Sequence, residues 1–366
     1  MATAHSPRLL NALAALVPPD RRRSVLVVHG SSGVAIPLLL EMATHWRITE
    51  LTAPSDRQTV SVTDVVDRLQ RVRRAEPSAL VAIGGGRVID FAKLVKFGVE
   101  MESGVAAALP LVAVPTTAGS GSEATRFATY YDGWRKRSLE DRILLPNAAV
   151  LIPRLLYNAP VEVLASAGLD ALSHGIEATW SNSATPTTVS TGLRAIQLVA
   201  DHLLPAVLMR SQHSLERLLF AANLAGRAIN QARTTAGHGF SYALTSVFGV
   251  AHGHAVAVMM QAIINFNGDV SADDCAHHRG PDYVNHTNRL IWKSLGVASA
   301  LEASRRLGGF LDAVGFPRYL DELGVTKDHH HLLVESGLSS DRSRNNPRQL
   351  TLSAARELVR VVYRGT

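Results

Sequence analysis

The 366-residue sequence has a single cysteine, Cys275, which excludes an internal disulfide and any cysteine-rich metal site. No apolar run approaches the roughly 20 residues of a membrane helix. In the opening segment, "MATAHSPRLLNALAALVPPDRRRS", the arginine cluster at 21–23 follows the apolar part, the reverse of a secretory signal, so a cytoplasmic location is expected. Internal repeats and low-complexity linkers are missing. So is the G-x-G-x-x-G fingerprint of ordinary dinucleotide folds, because "VVHGSSGV" offers only Gly30 and Gly33 after the first apolar strand. Lys and Arg number 37 against 31 Asp and Glu, a net charge of +6. They are dispersed, however, with no aromatic-interleaved basic strip and no nucleic-acid motif, so the field favours small anionic ligands over nucleic acid.

What is present divides the chain by pattern. With 46% hydrophobic and 19% charged residues, the chain is long enough for two domains, each with its own core. Up to residue 153, short apolar runs (24–30, 79–86, 109–117) alternate with helical periodicity (63–75, and "RVIDFAKLVKFG"), the signature of a doubly wound parallel sheet. Beyond it come long helical stretches at 161–180, 187–207, 213–230, 282–295 and 350–363, with almost no strand signal. The expected fold is an α/β N-terminal domain with a doubly wound parallel sheet, residues 1–153, followed by an all-α C-terminal domain, residues 154–366.

Two loops carry anion-binding chemistry. "ALVAIGGGRVIDFAK" puts Gly84, Gly85 and Gly86 between a strand and a helix, where bare backbone can approach a pyrophosphate and adopt positive φ while the first helical N–H groups point at it. "VPTTAGSGSEAT" follows another buried strand and packs the hydroxyls of Thr116, Thr117, Ser120 and Ser122 beside two glycines. Two such loops at the carboxyl ends of strands in one sheet form the crevice in which open α/β sheets bind dinucleotides.

The second half carries ligand-type residues in apolar helices. Asp170 and His174 stand four apart in "AGLDALSHGIEATW" and project from one helical face; taken alone, such a pair is more often a surface hydrogen bond than a ligand pair. His238 and His252 are fourteen residues apart, which on one unbroken helix is about 21 Å, too far to share an ion. "FGVAHG", with Gly249 and Gly253, is a break at which the chain can turn back and bring the two together. The histidines of "DDCAHHRG" and "TKDHHHLL" sit in polar, loop-like surroundings and read as solvated surface.

"GGGRVID", "PTTAGSGSEAT", "GLDALSHGIEA" and "HGFSYALTSVFGVAHG", in this order, resemble the iron-containing (group III) alcohol dehydrogenase family, with its dehydroquinate synthase-like fold. The resemblance implies one divalent metal ion, Fe²⁺ or Zn²⁺, held by Asp170, His174, His238 and His252. It implies NADH or NADPH held by Gly84, Gly85, Gly86 and Asp90, by Thr116, Thr117 and Ser120, and by Lys136. Two positions depart from the family pattern: Tyr242 replaces a histidine common four residues after the one at 238, and Gly30 stands near the place of an acidic residue that disfavours a 2′-phosphate.

Within the family, "INQARTTAGHGFSYALTS" with "HGHAVAV" resembles the branch that reduces phosphonoacetaldehyde to 2-hydroxyethylphosphonate. That likeness implies a small aldehyde substrate bearing a phosphonate, for which Arg233 and Arg126 are candidate guanidinium partners. Tyr242 and His254 are the candidate proton donors to the reduced oxygen. No nucleic-acid or membrane partner is expected, and a homodimer is the expected assembly. The rival readings are another group III alcohol dehydrogenase acting on a simple aldehyde or alcohol, a dehydroquinate-synthase-like or glycerol-1-phosphate-dehydrogenase-like enzyme, a cofactor-binding protein without catalysis, and a basic nucleic-acid-binding protein.

Overall fold

The computed structural model describes residues 6–19, 22–54, 60–103, 109–132 and 135–365. They fall into two compact units, Met1–Thr117 with Gly121–Leu156, and Ala118–Ser120 with Tyr157–Thr366.

The first unit is built on a sheet of five strands in the order β2-β1-β3-β4-β7: β1 (Ser24–His29), β2 (Arg47–Thr52), β3 (Ala79–Gly84), β4 (Leu111–Pro115) and β7 (Ala148–Ala149). Every pairing in it is parallel. A separate antiparallel hairpin joins β5 (Phe127–Asp132) to β6 (Arg135–Glu140). The near-continuous apolar runs of the central strands follow from burial on both faces. Leu26, Val28, Leu80, Ala82, Leu111 and Ala113 face one core, shared with α3 (Val62–Ala75) and α4 (Gly86–Ser103). Their neighbours Val25, Val27, Val81, Ile83, Val112 and Val114 face the other, shared with α1 (Ser6–Leu16) and α2 (Ile36–Met42). The doubly wound parallel sheet expected from the sequence is therefore present. Strand order reverses between β1 and β3, the switch point at which such sheets bind ligands beyond their carboxyl ends.

The second unit is helical among its described residues: α5 (Val161–Trp180), α6 (Pro186–Leu208), α7 (Gln212–Ala232), α8 (Ala236–Ser246), α9 (His252–Asn267), α10 (Pro281–Ser294), α11 (Ala300–Ala313), α12 (His330–Ser339) and α13 (Leu352–Arg360). Helix α5 is buried on all sides from Leu164 to Trp180 except at Ala167, as the central helix of a bundle must be, and packs against α6, α7 and α9. The sequence pattern put the division after residue 153; the structure adds that Ala118–Ser120 groups with the helices. The reason is contact: a Cβ on Gly119 would fall 2.7 Å from the Cα of Ala167 on α5.

Candidate active site

Helix periodicity puts Asp170, His174 and Glu177 on one face of α5, at i, i+4 and i+7. The chain then breaks between α8 and α9, turning through Gly249 at φ +69°, so that His238 near the start of α8 and His252 at the start of α9 face each other. Their ring centroids are 5.4 Å apart, where a continuous helix would hold them about 21 Å apart. The return is possible only because residue 253 lacks a side chain. A Cβ on Gly253 would sit 1.9 Å from the carbonyl oxygen of Ser166 and 2.8 Å from the Cβ of Asp170, so α9 lies directly on α5.

Asp170, His174 and His238 bring one ligand atom each within 4.8 Å of one another, all buried. Oδ1 of Asp170 lies 3.4 Å from Nε2 of His238 and 3.7 Å from Nε2 of His174. Neither that Oδ1 nor the Nε2 of His238 completes a hydrogen bond. Buried polar atoms seldom go unsatisfied, and a carboxylate oxygen converging with imidazole nitrogens is a donor set suited to a divalent cation. His252 adds a third ring beside His238 and is half-buried.

The electrostatics give Asp170 and His174 the states that a cation requires of its ligands, whereas His238 holds a proton that an ion at Nε2 would displace. Burial alone would raise the Asp170 carboxyl, but His174, His238 and His252 around it hold it well below the usual carboxylate range, so it is ionised. Burial depresses His174 and keeps it neutral. His238 is opposite: burial opposes its charge, yet Glu177 and Asp170 on either side push it up to about 10.

Glu177 did not stand out in the sequence. Its fully buried carboxylate accepts hydrogen bonds from Nδ1 of His238, from the His238 backbone N–H at 3.2 Å and from the Thr235 hydroxyl at 3.0 Å. Trp180 Nε1 in turn donates to that hydroxyl. A carboxylate on Nδ1 fixes the tautomer and presents the Nε2 lone pair to an ion. The only signal was phase, since Glu177 repeats the face of Asp170 and His174 one turn on.

Other predicted residues fall elsewhere. Tyr242 lies four residues past His238 on α8, half-buried, its ring stacked on His252 at 6.3 Å between centroids. His254 does not act as expected: Nε2 meets the Pro317 carbonyl at 2.6 Å, the ring lies on Phe316 at 4.4 Å, and burial keeps it neutral. It fastens α9 to the segment after α11 and is withdrawn as proton donor. Arg233 is exposed and takes φ 61° and ψ 176°, a region costing a residue with a Cβ about 1–3 kcal/mol. The guanidinium of Arg126 is engaged by Glu140, through Nε at 3.0 Å and Nη2 at 2.8 Å, which corrects its reading as a phosphonate partner.

In the first unit, Gly84, Gly85 and Gly86 close β3 and open α4, beside Thr116 and Thr117 at the end of β4, with the Thr116 N–H donating to the Gly84 carbonyl at 3.0 Å. None of the three glycines has positive φ, contrary to the sequence expectation. Gly84 is needed for space, because its Cβ would lie 2.4 Å from the Cβ of Val88. Asp90 also departs from expectation. One carboxylate oxygen accepts from the Ser122 hydroxyl and the other from the Thr129 N–H at 2.9 Å, so it braces the second loop from within. Lys93, fully buried, binds Ser122, Thr125 and the Phe127 carbonyl in the same network. Ser120 groups with the helical unit, and the side chain of Lys136 lies outside the described residues.

Residues 5–153 match the profile of iron-containing alcohol dehydrogenases, and residues 164–363 match that of the C-terminal part of the Fe-containing alcohol dehydrogenase family. The chain belongs to the iron-containing alcohol dehydrogenase family. As such it is an oxidoreductase of alcohols and aldehydes, in a family that uses NAD(H) and a divalent metal. This dehydrogenase is 38% identical over 331 residues to phosphonoacetaldehyde reductase of Streptomyces viridochromogenes, covering 83% of this chain and 82% of that one. It is 30% identical over 306 residues to the probable alcohol dehydrogenase EutG of Escherichia coli, covering 80% and 74%. The iron-containing alcohol dehydrogenase of Thermococcus thioreducens superposes with a TM-score of 0.82 at 25% identity, over 94% of this chain and 93% of the other. The sulfoacetaldehyde reductase of Bifidobacterium kashiwanohense, solved with NAD+, shares the fold at a TM-score of 0.82 and 22% identity, over 99% and 95%. Among the described residues no helix is long and apolar enough to cross a membrane.

Proposed function

We propose that this dehydrogenase reduces phosphonoacetaldehyde to 2-hydroxyethylphosphonate with NADH or NADPH and one divalent ion, Fe²⁺ or Zn²⁺. The observation that carries the substrate is the 38% identity to a phosphonoacetaldehyde reductase over most of both chains. Asp170, His174, His238 and His252 are the proposed ligands. When bound, the ion supplies Lewis-acid polarisation of a carbonyl oxygen and the reduced nicotinamide supplies the hydride.

The chain's own residues do the rest. Asp170 contributes the anionic ligand, and Glu177 holds His238 in the tautomer that offers Nε2. Gly84, Gly85 and Gly86 are the proposed stretch of backbone that approaches the cofactor phosphates, with Thr116 and Thr117 offering hydroxyls and Asp90 and Lys93 bracing the second loop from behind. The Tyr242 hydroxyl is the proposed source of the proton that the reduced oxygen takes up.

The test is a substrate panel followed at 340 nm after loading with Fe²⁺ or Zn²⁺, using NADH and NADPH in turn, with phosphonoacetaldehyde, propionaldehyde, butyraldehyde and dihydroxyacetone phosphate. The expected result is a kcat/KM for phosphonoacetaldehyde well above all the others. Equal turnover of the simple aldehydes removes the phosphonate reading, and preference for dihydroxyacetone phosphate replaces it.

A further inference from the structure

Thr235 is the N-cap residue of α8, the position from which a threonine oxygen ordinarily accepts the backbone N–H two or three residues on. Its hydroxyl makes no such bond. The N–H of His238, the third residue of the helix, goes instead to Glu177 Oε1 at 3.2 Å. A carboxylate from α5 therefore takes the place of the cap and sets a negative charge at the positive end of the α8 dipole. Residue 237 leaves room for it, since a Cβ on Gly237 would fall 2.9 Å from Glu177 Oε1 and 2.7 Å from Met260 Cε.

Released from capping, the Thr235 hydroxyl donates to the same carboxylate oxygen at 3.0 Å. Its direction is forced. Trp180 Nε1–H, which can only donate, points at Thr235 Oγ1 from 3.0 Å, so the threonine oxygen accepts there and its own proton must find an acceptor elsewhere. The Glu177 carboxylate is that acceptor, and its other oxygen meets Nδ1 of His238. Trp180, Thr235, Glu177 and His238 are all buried, and in such an interior successive hydrogen bonds polarise one another. The backbone that carries Thr235 is fixed as well: Asn345 Nδ2 donates to the carbonyls of Ala232 at 2.8 Å and Thr234 at 3.1 Å, and the Ser181 hydroxyl donates to Ala232 at 2.9 Å.

Without the hydroxyl, Oε1 of Glu177 keeps only the His238 N–H of these two bonds, and the carboxylate is free to tilt away from the ring. We propose that Thr235 is a positioning residue of the metal centre: its hydroxyl, aimed by Trp180, fixes the Glu177 carboxylate that orients His238, and so sets the affinity for the ion. This rests on the proposed ligand set and carries it two residues further from the ion, to Thr235 and Trp180.

The test titrates apo protein with Zn²⁺ against a chromophoric chelator. Thr235→Val keeps the shape and removes the hydroxyl, whereas Thr235→Ser keeps the hydroxyl and removes the methyl. The Kd is expected to weaken about 10-fold or more in Thr235→Val, the range found for partners behind a ligating histidine, and to stay within about twofold of wild type in Thr235→Ser. Wild-type affinity in Thr235→Val overturns the proposal, and so does an equal loss in both variants, which would make the residue a packing element. If Thr235→Val does not fold because Trp180 Nε1 is left unpaired, Trp180→Phe with Thr235→Val removes both ends of that bond and carries the same expectation. If wild type binds no Zn²⁺, the ligand set fails by itself. The positioning is then read from the ring ¹⁵N resonances of His238 in histidine-labelled apo protein, assigned with His238→Gln. A shift in Thr235→Val that is missing in Thr235→Ser supports it; unmoved resonances, or equal shifts in both, overturn it.

Discussion

Glu177 holds His238 by two atoms at once, accepting from its ring Nδ1 and from its backbone N–H, so one buried carboxylate fixes both the tautomer of the imidazole and the first turn of α8. Replacing it with Gln keeps the volume and removes the charge that orients the ring. Glu177→Gln should fold, keep its helical circular dichroism and lose metal affinity about 10- to 100-fold, the usual cost of losing a carboxylate behind a ligating histidine. Titration of the apo protein with Zn²⁺ or Fe²⁺ measures it. Undiminished affinity means that Glu177 braces α8 and does not tune the ligand.

The parts of this arrangement that the sequence revealed, and those it hid, divide by range. Asp170 and His174 were readable because four residues on a helix make one face, and the doubly wound sheet was readable because β1, β3 and β4 are apolar on both sides. Strand β2 escaped because it lies at a sheet edge, with Leu51 its one buried residue among charged and polar neighbours. The β5–β6 hairpin escaped because it stands apart from the main sheet. Glu177 was hidden because a glutamate in a helix reads as solvent-facing until its partner, sixty-one positions away, is known. His254 and Asp90 erred for the same reason: what commits them is the Pro317 carbonyl in one case and Ser122 and Thr129 in the other, none of which local spacing predicts.

Gly253 is the contact on which the approach of His252 depends. An added methyl meets the Ser166 carbonyl and the Asp170 Cβ, both on a buried helix with no room to yield, so Gly253→Ala must push α9 away from α5. Overpacking of this kind costs about 1–3 kcal/mol or more. The expected outcome is a lowered thermal midpoint together with reduced metal content, read by calorimetry and elemental analysis on one preparation. A lowered midpoint with full metal occupancy separates the packing role from the site.

Removing the ion should cost stability as well as turnover. A cation that binds only the folded chain adds about 4 kcal/mol at a thousandfold excess over its Kd, and its loss leaves Asp170 Oδ1 and His238 Nε2 buried without a partner. Chelation is expected to abolish aldehyde reduction and lower the thermal midpoint, with both recovering on addition of Fe²⁺ or Zn²⁺. Full activity after exhaustive chelation, verified by elemental analysis, contradicts the metal assignment.

Tyr242 lies one turn beyond His238 on α8 with its ring stacked on that of His252, which makes its hydroxyl the candidate proton source. Tyr242→Phe keeps the ring and removes only the oxygen. A loss in kcat of about 100-fold or more, with metal content unchanged, is the result expected of a general acid. A change confined to KM assigns the hydroxyl to substrate binding.

Lys93 ties the loop after β4 to α4 from a fully buried position, and that burial gives stability a distinctive pH dependence. Desolvation lowers its pKa to about 8, against the partly compensating pull of Asp90 and Glu123. An unfolded lysine titrates near 10.4, so between about pH 8 and 10.4 the unfolded chain binds more protons than the folded one, and stability must rise with pH. Below pH 8 both states carry the proton and the full penalty of about 3 kcal/mol applies; as pH climbs through the window it is progressively relieved. Other groups titrate in the same range, so the measurement is a difference: urea unfolding of wild type and Lys93→Gln at pH 7, 8, 9 and 10. The wild-type stability should gain on the variant with each step. A constant difference would show that the ammonium remains fully protonated across the range, with Asp90 and Glu123 outweighing burial.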